Sequence, residues 1–236
     1  MKVIFLTTET LHHAFFIKQL SNLNSHAFLT IIEQEAVKPP FVVEHDFEIE
    51  REKFELDSFF NGNEKRISDF SETFEVRSIN DNEVVELIHQ FNPDIVLDFG
   101  TRKVSSNIIK LMGDNILNLH GGHPEFYRGL DSHLWAIYNG RFDLLVATLH
   151  QMKDGLDVGQ IIIQEQVTLN DGMKISELRA ATTRSCVRLV KTALYMKEEF
   201  GFFLKRPQCI QGTYFSFMPC ELKSICVSRF NKFTNF

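Results

Sequence analysis

Val3-Ile-Phe-Leu-Thr7, Leu11-His-His-Ala-Phe-Phe-Ile-Lys-Gln-Leu-Ser-Asn-Leu23 and Phe28-Leu-Thr-Ile-Ile32 follow one another at the start of the chain. The outer two runs are short, apolar and rich in β-branched residues, which predicts buried strands. The middle one has apolar residues at helical spacing. Strand, helix, strand in that order is the opening of a βαβ series.

The alternation continues downstream. From Val37 to Arg77 the chain turns charged and Phe-spotted, opened by Pro39-Pro40 and interrupted by Asn61-Gly62-Asn63, and short helices and loops are expected there. Then come a short strand at Thr73–Val76, a helix at Asn82–Phe91, a buried strand at Asp94–Asp98 ending on Gly100, a helix at Ser105–Met112 and a strand at Ile116–Leu119. Beyond His120 a Gly/Pro-rich loop leads into a helix near Ser132–Asn139. Two β-rich runs, Leu144–Met152 and Gln160–Val167, flank an acidic loop, and a long helix spans Ile175–Phe200. The tail from Gly201 has no clear period and is expected as a strand or arm on the main body. The expected fold is α/β: an open, mostly parallel, Rossmann-like sheet with helices on both faces, then a β-rich segment, a long helix and a short C-terminal arm.

Composition narrows the function. The chain has 236 residues, 25 Lys+Arg against 31 Asp+Glu, and a net charge of -6, which opposes broad nucleic-acid binding. No run reaches the ~18 apolar residues of a membrane span, so a cytoplasmic protein is expected. Cys186, Cys209, Cys220 and Cys226 contain no C-x-x-C pair and read as ordinary thiols. The 23 Phe against 4 Tyr and 1 Trp suggest a Phe-packed core or a self-association face, hence a candidate homodimer.

In an open parallel sheet ligands sit outside the carboxyl ends of the strands. Two places there carry polar side chains. Asn118 and His120 lie two apart at a strand end and project to the same side, and Asp154-Gly-Leu-Asp157-Val-Gly159 forms the acidic loop. Brought together, an amide, an imidazole and a carboxylate make a proton-handling site with an oxyanion donor. Spacing leaves open the reading in which Asn118 and Asp157 only serve turns and His120 is a loop histidine. His12-His13 sits near the first strand's end, lining a substrate side or forming a solvated helix start. A zinc cluster of His120, His123, His133, His150 and Asp131 is disfavoured because His120-x-x-His123 spans a Gly-Gly loop, so no metal is expected. The turn Thr7-Thr-Glu-Thr10 lacks a dinucleotide-binding glycine pattern.

The combined Asn118-Leu-His120, Pro124-Glu-Phe-Tyr127-Arg128-Gly129 and Leu156-Asp157-Val-Gly159 pattern resembles the folate-dependent formyltransferase family, and the firm resemblance covers about 94–167. It implies formyl transfer from N10-formyltetrahydrofolate, as co-substrate, to a primary amine. Asn118 and His120 would grip the formyl oxygen, and Asp157 would orient His120. The folate would lie against Phe99, Gly100 and Thr101 and the backbone of Met152, Lys153 and Asp154. Tyr127, Arg128 and His123 would face the acceptor. Residues 1–200 would be the catalytic domain and 201–236 an extension packed on it. His120-Gly-Gly-His-Pro-Glu-Phe-Tyr-Arg-Gly-Leu-Asp-Ser-His133 is similar to the branch acting on nucleotide-linked deoxyamino sugars, precursors of surface polysaccharide. The absent Gly-rich loop argues against a glycinamide ribonucleotide acceptor, and the short tail and negative charge against tRNA. Another family transferase, a formyltetrahydrofolate hydrolase or an idle folate-binding protein are the alternatives.

Overall fold

The computed structural model describes residues 1–23, 25–35 and 37–235. Strand β1 (Lys2–Thr7) leads to helix α1 (Leu11–Ser21), whose N-cap Thr10 accepts the His13 N–H on its hydroxyl at 3.3 Å, and then to β2 (Ala27–Glu33). Helix α2 (Asp46–Phe60), β3 (Glu72–Val76), α3 (Asn82–Phe91), β4 (Ile95–Phe99), α4 (Ser106–Met112) and β5 (Ile116–His120) follow. The second half comprises β6 (Tyr127–Gly129), α5 (Ser132–Tyr138), β7 (Val146–Gln151), β8 (Ile161–Gln166), α6 (Leu178–Phe200), β9 (Thr213–Phe215) and α7 (Cys220–Thr234).

The main sheet has seven strands in the order β3-β2-β1-β4-β5-β7-β8, the first five parallel and the last two antiparallel. Val3, Ile4, Phe5 and Leu6 are all essentially inaccessible, as a central strand covered on both faces requires. One face packs on α1, α2 and α6 through Phe5, Phe16, Phe59 and Val190; the other packs on α3 and α4 through Val84, Ile88 and Ile108. The chain runs outward from β1 to β3, then returns to β4 on the other side of β1. Between β1 and β4 lies the switch point where a crevice opens at the strand ends. The α/β architecture read from the sequence is the one observed. No helix among the described residues is long and apolar enough to cross a membrane.

Two segments differ from the sequence reading. Residues 46–60 form one 15-residue helix rather than short pieces. Its buried side includes Glu55, and its capping box is built from His45 and Glu48, so neither its apolar stripe nor its start has the usual signature. The tail contributes β9, paired with β6, and the 15-residue α7. The inner face of α7 is Lys223, Cys226, Phe230 and Thr234, which hides its period; Lys223 is only 2% exposed because its Nζ donates to Val43 O at 2.6 Å and Glu48 Oε1 at 3.1 Å. Many of the phenylalanines are core, with Phe15 stacked on Phe59 at 4.0 Å, whereas Phe200 and Phe202 at the end of α6 are exposed.

Candidate active site

The crevice has a volume of about 540 Å³, within the ordinary range for small-molecule sites. Across its floor three adjacent strands place one residue each in register: Asp98 on β4 opposite Asn118 on β5, and Asn118 opposite His150 on β7. Residues directly opposite in a sheet share a face, so this row points into the crevice together. His120, two positions beyond Asn118, joins it.

Asp157 arrives from the loop between β7 and β8. It sits at φ 53°, a left-handed conformation that Asp tolerates better than most residues. One carboxylate oxygen accepts the Gly129 N–H at 2.8 Å, and the other accepts Asn118 Nδ2 at 3.1 Å. His120 Nδ1 stands 3.6 Å and His150 Nε2 3.4 Å from the same carboxylate. Burial pushes the Asp157 pKa up, but His120, then His150 and the Gly129 N–H, outweigh it and hold the group well below the usual carboxylate range. It is ionised throughout the neutral range.

Neighbouring carbonyls fix the tautomers. His120 Nε2 lies 2.9 Å from Tyr127 O, which can only accept, so Nε2 carries the hydrogen and Nδ1, facing Asp157, is the nitrogen that gains or loses a proton. His150 Nδ1 likewise donates to Gln151 O at 2.9 Å, leaving Nε2 to accept from Asn118 Nδ2 at 3.0 Å. Both hydrogens of the Asn118 amide are thereby engaged, on Asp157 and on His150. A Cβ on Gly122 would come 2.8 Å from His120 Nε2, which explains a glycine there.

Asp98 is the fifth polar group of the site and was not foreseen. Burial lifts its pKa to about 7, against the Thr101 hydroxyl it accepts, with Glu33 and Asp157 adding to the rise. Between the ordinary carboxyl pKa and about 7 the folded chain keeps a proton that the unfolded chain releases, so stability falls as pH rises through that window. Asp98→Asn, which keeps an acceptor for Thr101, should stabilise the protein on the order of a few kcal/mol at pH 8 and hardly at all near pH 4. Urea unfolding at the two pH values measures this, and a gain equal at both would contradict it.

The structure brings Asn118, His120 and Asp157 together, and Phe99, Gly100, Thr101, Met152 and Lys153 line the same crevice. Asp154 does not: its side chain turns out to Ser106 and Lys103. The three residues expected to face the acceptor lie off the crevice wall. Tyr127 is buried, its hydroxyl accepting from Asn139 Nδ2; Arg128 ties Gly212 O to Leu156 O; His123 leans on Phe126, with Glu125 at 4.0 Å. His12 and His13 are buried rather than solvated, His12 on the crevice wall and His13 beneath Gly100, where a Cβ would meet it at 2.7 Å. His150 had a signal, a polar residue in an otherwise apolar run, but its partner could be named only from strand register.

An α/β chain with a carboxylate, two imidazoles and an amide at the switch-point crevice has the equipment for acid–base group transfer. This chain belongs to the formyl transferase family, whose model matches residues 1–194. It is 28% identical over 155 residues to the methionyl-tRNA formyltransferase of Clostridioides difficile (strain 630), covering 64% of this chain and 48% of that protein. HypX from Aquifex aeolicus superposes with a TM-score of 0.60 at 20% identity, over 94% of this chain and 32% of that one. The formyltransferase PseJ from Anoxybacillus kamchatkensis, in complex with UDP-4,6-dideoxy-4-formamido-L-AltNAc and tetrahydrofolate, superposes with a TM-score of 0.54 at 16% identity, over 92% of this chain and 86% of that one. At such identities the two structures share the fold. The chain spans about half the length of the curated relative it matches.

Proposed function

We propose that this protein transfers the formyl group of N10-formyltetrahydrofolate to the primary amine of a nucleotide-linked deoxyamino sugar, with Asn118, His120 and Asp157 as the catalytic residues. The observation that carries this reading is the convergence of the Asn118 and His120 side chains, at the end of β5, on the buried Asp157 carboxylate, 39 residues beyond Asn118. The acceptor class is supported by the His120–His133 loop sequence and by the nucleotide sugar named for PseJ.

The folate lies in this reading against the wall made by Phe99–Arg102, Val104, Ile109 and Met152, which combines apolar side chains with the polar Thr101 and Arg102. In the reaction the amine nitrogen bonds to the formyl carbon, the bond from that carbon to N10 breaks, and N10 takes up a proton. The proton shed by the amine leaves through His120 Nδ1, and the Asp157 carboxylate stabilises the imidazolium that forms. Asn118 supplies the donor for the developing oxyanion by turning the amide hydrogen that rests on His150 Nε2 toward it. One such donor is typically worth ~3 to 4 kcal/mol in the barrier. Residues 1–200 form the catalytic body in this reading, with 201–236 packed on it.

Incubation with N10-formyltetrahydrofolate and a panel of nucleotide-linked amino sugars, read by mass spectrometry, tests the proposal. A product heavier by one carbonyl unit is expected. Formate release with no acceptor, or formylation of methionyl-tRNA and of no sugar, would overturn the acceptor assignment.

A further inference from the structure

We propose that Arg51 and Arg179, with His12, form a subsite for a phosphate group of the acceptor, on the α1/α2/α6 side of the crevice. The identity of the phosphate's owner rests on the formyl-transfer reading; the subsite itself does not. Three separate elements supply these side chains, and all three line the crevice.

Arg51 is the telling residue. Its Nε is buried and has no hydrogen-bond partner among the described residues, and the guanidinium, over the Phe47 ring at 6.0 Å, makes one hydrogen bond among those residues, from Nη1 to Glu48 on its own helix at 3.3 Å. A guanidinium presents five donors, and a buried one left unmet is costly unless a ligand supplies the acceptor. Arg179 is its counterpart. Nε and Nη2 are clamped by Glu55 at 2.7 and 2.6 Å, which orients the group rigidly and leaves its remaining edge toward solvent and ligand. The two guanidinium groups are close enough that Arg179 depresses the Arg51 pKa, second only to burial. Two guanidinium groups lining one cavity favour an anion there.

His12 adds a neutral donor. His12 Nδ1 lies 3.0 Å from Thr10 Oγ1, and in the tautomer that accepts from that hydroxyl His12 Nε2 bears a hydrogen for the ligand. Burial, then His13, Arg179 and Arg51, keep this imidazole uncharged. The carboxylates nearby are committed: Glu55 to Arg179, Glu48 to Arg51 and Lys223, and Asp131, also on the crevice wall, to the Met218 N–H. Donors approaching from three elements suit a tetrahedral, multiply charged oxyanion. A planar carboxylate would be satisfied by one guanidinium.

Calorimetric titration of the full chain with sodium pyrophosphate, inorganic phosphate and acetate tests the subsite, using Arg51→Gln and Arg51→Lys as variants. Arg51 is chosen because Arg179 neutralises a fully buried Glu55, and its loss would endanger the fold. Pyrophosphate should bind the wild-type chain, weaken as salt rises, and weaken about tenfold or more in Arg51→Gln with partial recovery in Arg51→Lys. Preference for pyrophosphate marks a diphosphate arm and preference for phosphate a monoester. Equal affinity in wild type and Arg51→Gln with circular dichroism unchanged, no binding of either, or a preference for acetate would overturn the proposal. Tetrahydrofolate binding to the wild-type chain is measured in parallel. Phosphate binding without folate binding would sink the formyl-transfer reading and spare the subsite, and the converse would sink the subsite alone.

Discussion

Asp157→Asn is expected to lower the rate of formyl transfer roughly a thousandfold or more, about 4 kcal/mol in the barrier, in a chain that remains folded. The carboxylate accepts from Gly129 N and Asn118 Nδ2 and faces His120 and His150 across 3.6 and 3.4 Å. A carboxamide has one accepting oxygen, so its NH2 must confront either the Gly129 N–H or the Asn118 amide, donor against donor. It also removes the negative charge that makes His120 Nδ1 a proton acceptor during amine attack. The native carboxylate is held below its unfolded pKa, so its stabilising effect is present at neutral pH and is lost as pH falls below the ordinary carboxyl range. The variant should therefore unfold more easily than wild type at pH 7 and match it more closely in acid. Stopped-flow rates and urea titrations measure the two effects, and a variant within tenfold of wild-type turnover would remove Asp157 from the mechanism.

Gly159→Ala is expected to damage both fold and site, costing on the order of 3 to 5 kcal/mol and abolishing measurable turnover. A Cβ at this position would stand 1.5 Å from the carbonyl oxygen of Gln151 and 3.3 Å from His150 Nδ1. The clash is with backbone of β7, so no side-chain rotation relieves it. Either the end of β7 or the loop bearing Asp157 must move by more than an ångström, and the acceptor of His150 Nδ1 is the same Gln151 oxygen. Thermal unfolding should show a large drop in midpoint, and any folded fraction should have lost the Asp157 alignment. Near-native stability in Gly159→Ala would mean that the loop does not pack on β7 as described.

Much of this site was legible before any coordinates. Asn118 and His120 sit two apart at the end of a run of apolar residues, and a period of two puts them on one side of the strand. Asp157 was recognisable from its Leu-Asp-x-Gly setting. His150 and Asp98 were not assigned, because their membership depends on which residue of β4 and of β7 lies beside Asn118, and lateral register leaves no mark along a single strand. Tyr127, Arg128 and His123 lie in a characteristic loop, and where their side chains lie was likewise not legible: Tyr127 meets Asn139, Arg128 bridges Gly212 and Leu156, and His123 packs on Phe126. Arg51 was hidden inside a helix whose inner face is partly charged.

The order of apolar runs, their lengths and their helical or alternating periods established the α/β sheet and directed attention to the strand ends, since these properties are local and written in consecutive residues. Which side chains meet across the crevice, which nitrogen of each histidine carries its proton, and which guanidinium is left without an acceptor depend on distances between segments far apart in sequence, 128 positions in the case of Arg51 and Arg179. Those distances are set by packing of the helices on both faces of the sheet, a property that no local stretch of the chain contains.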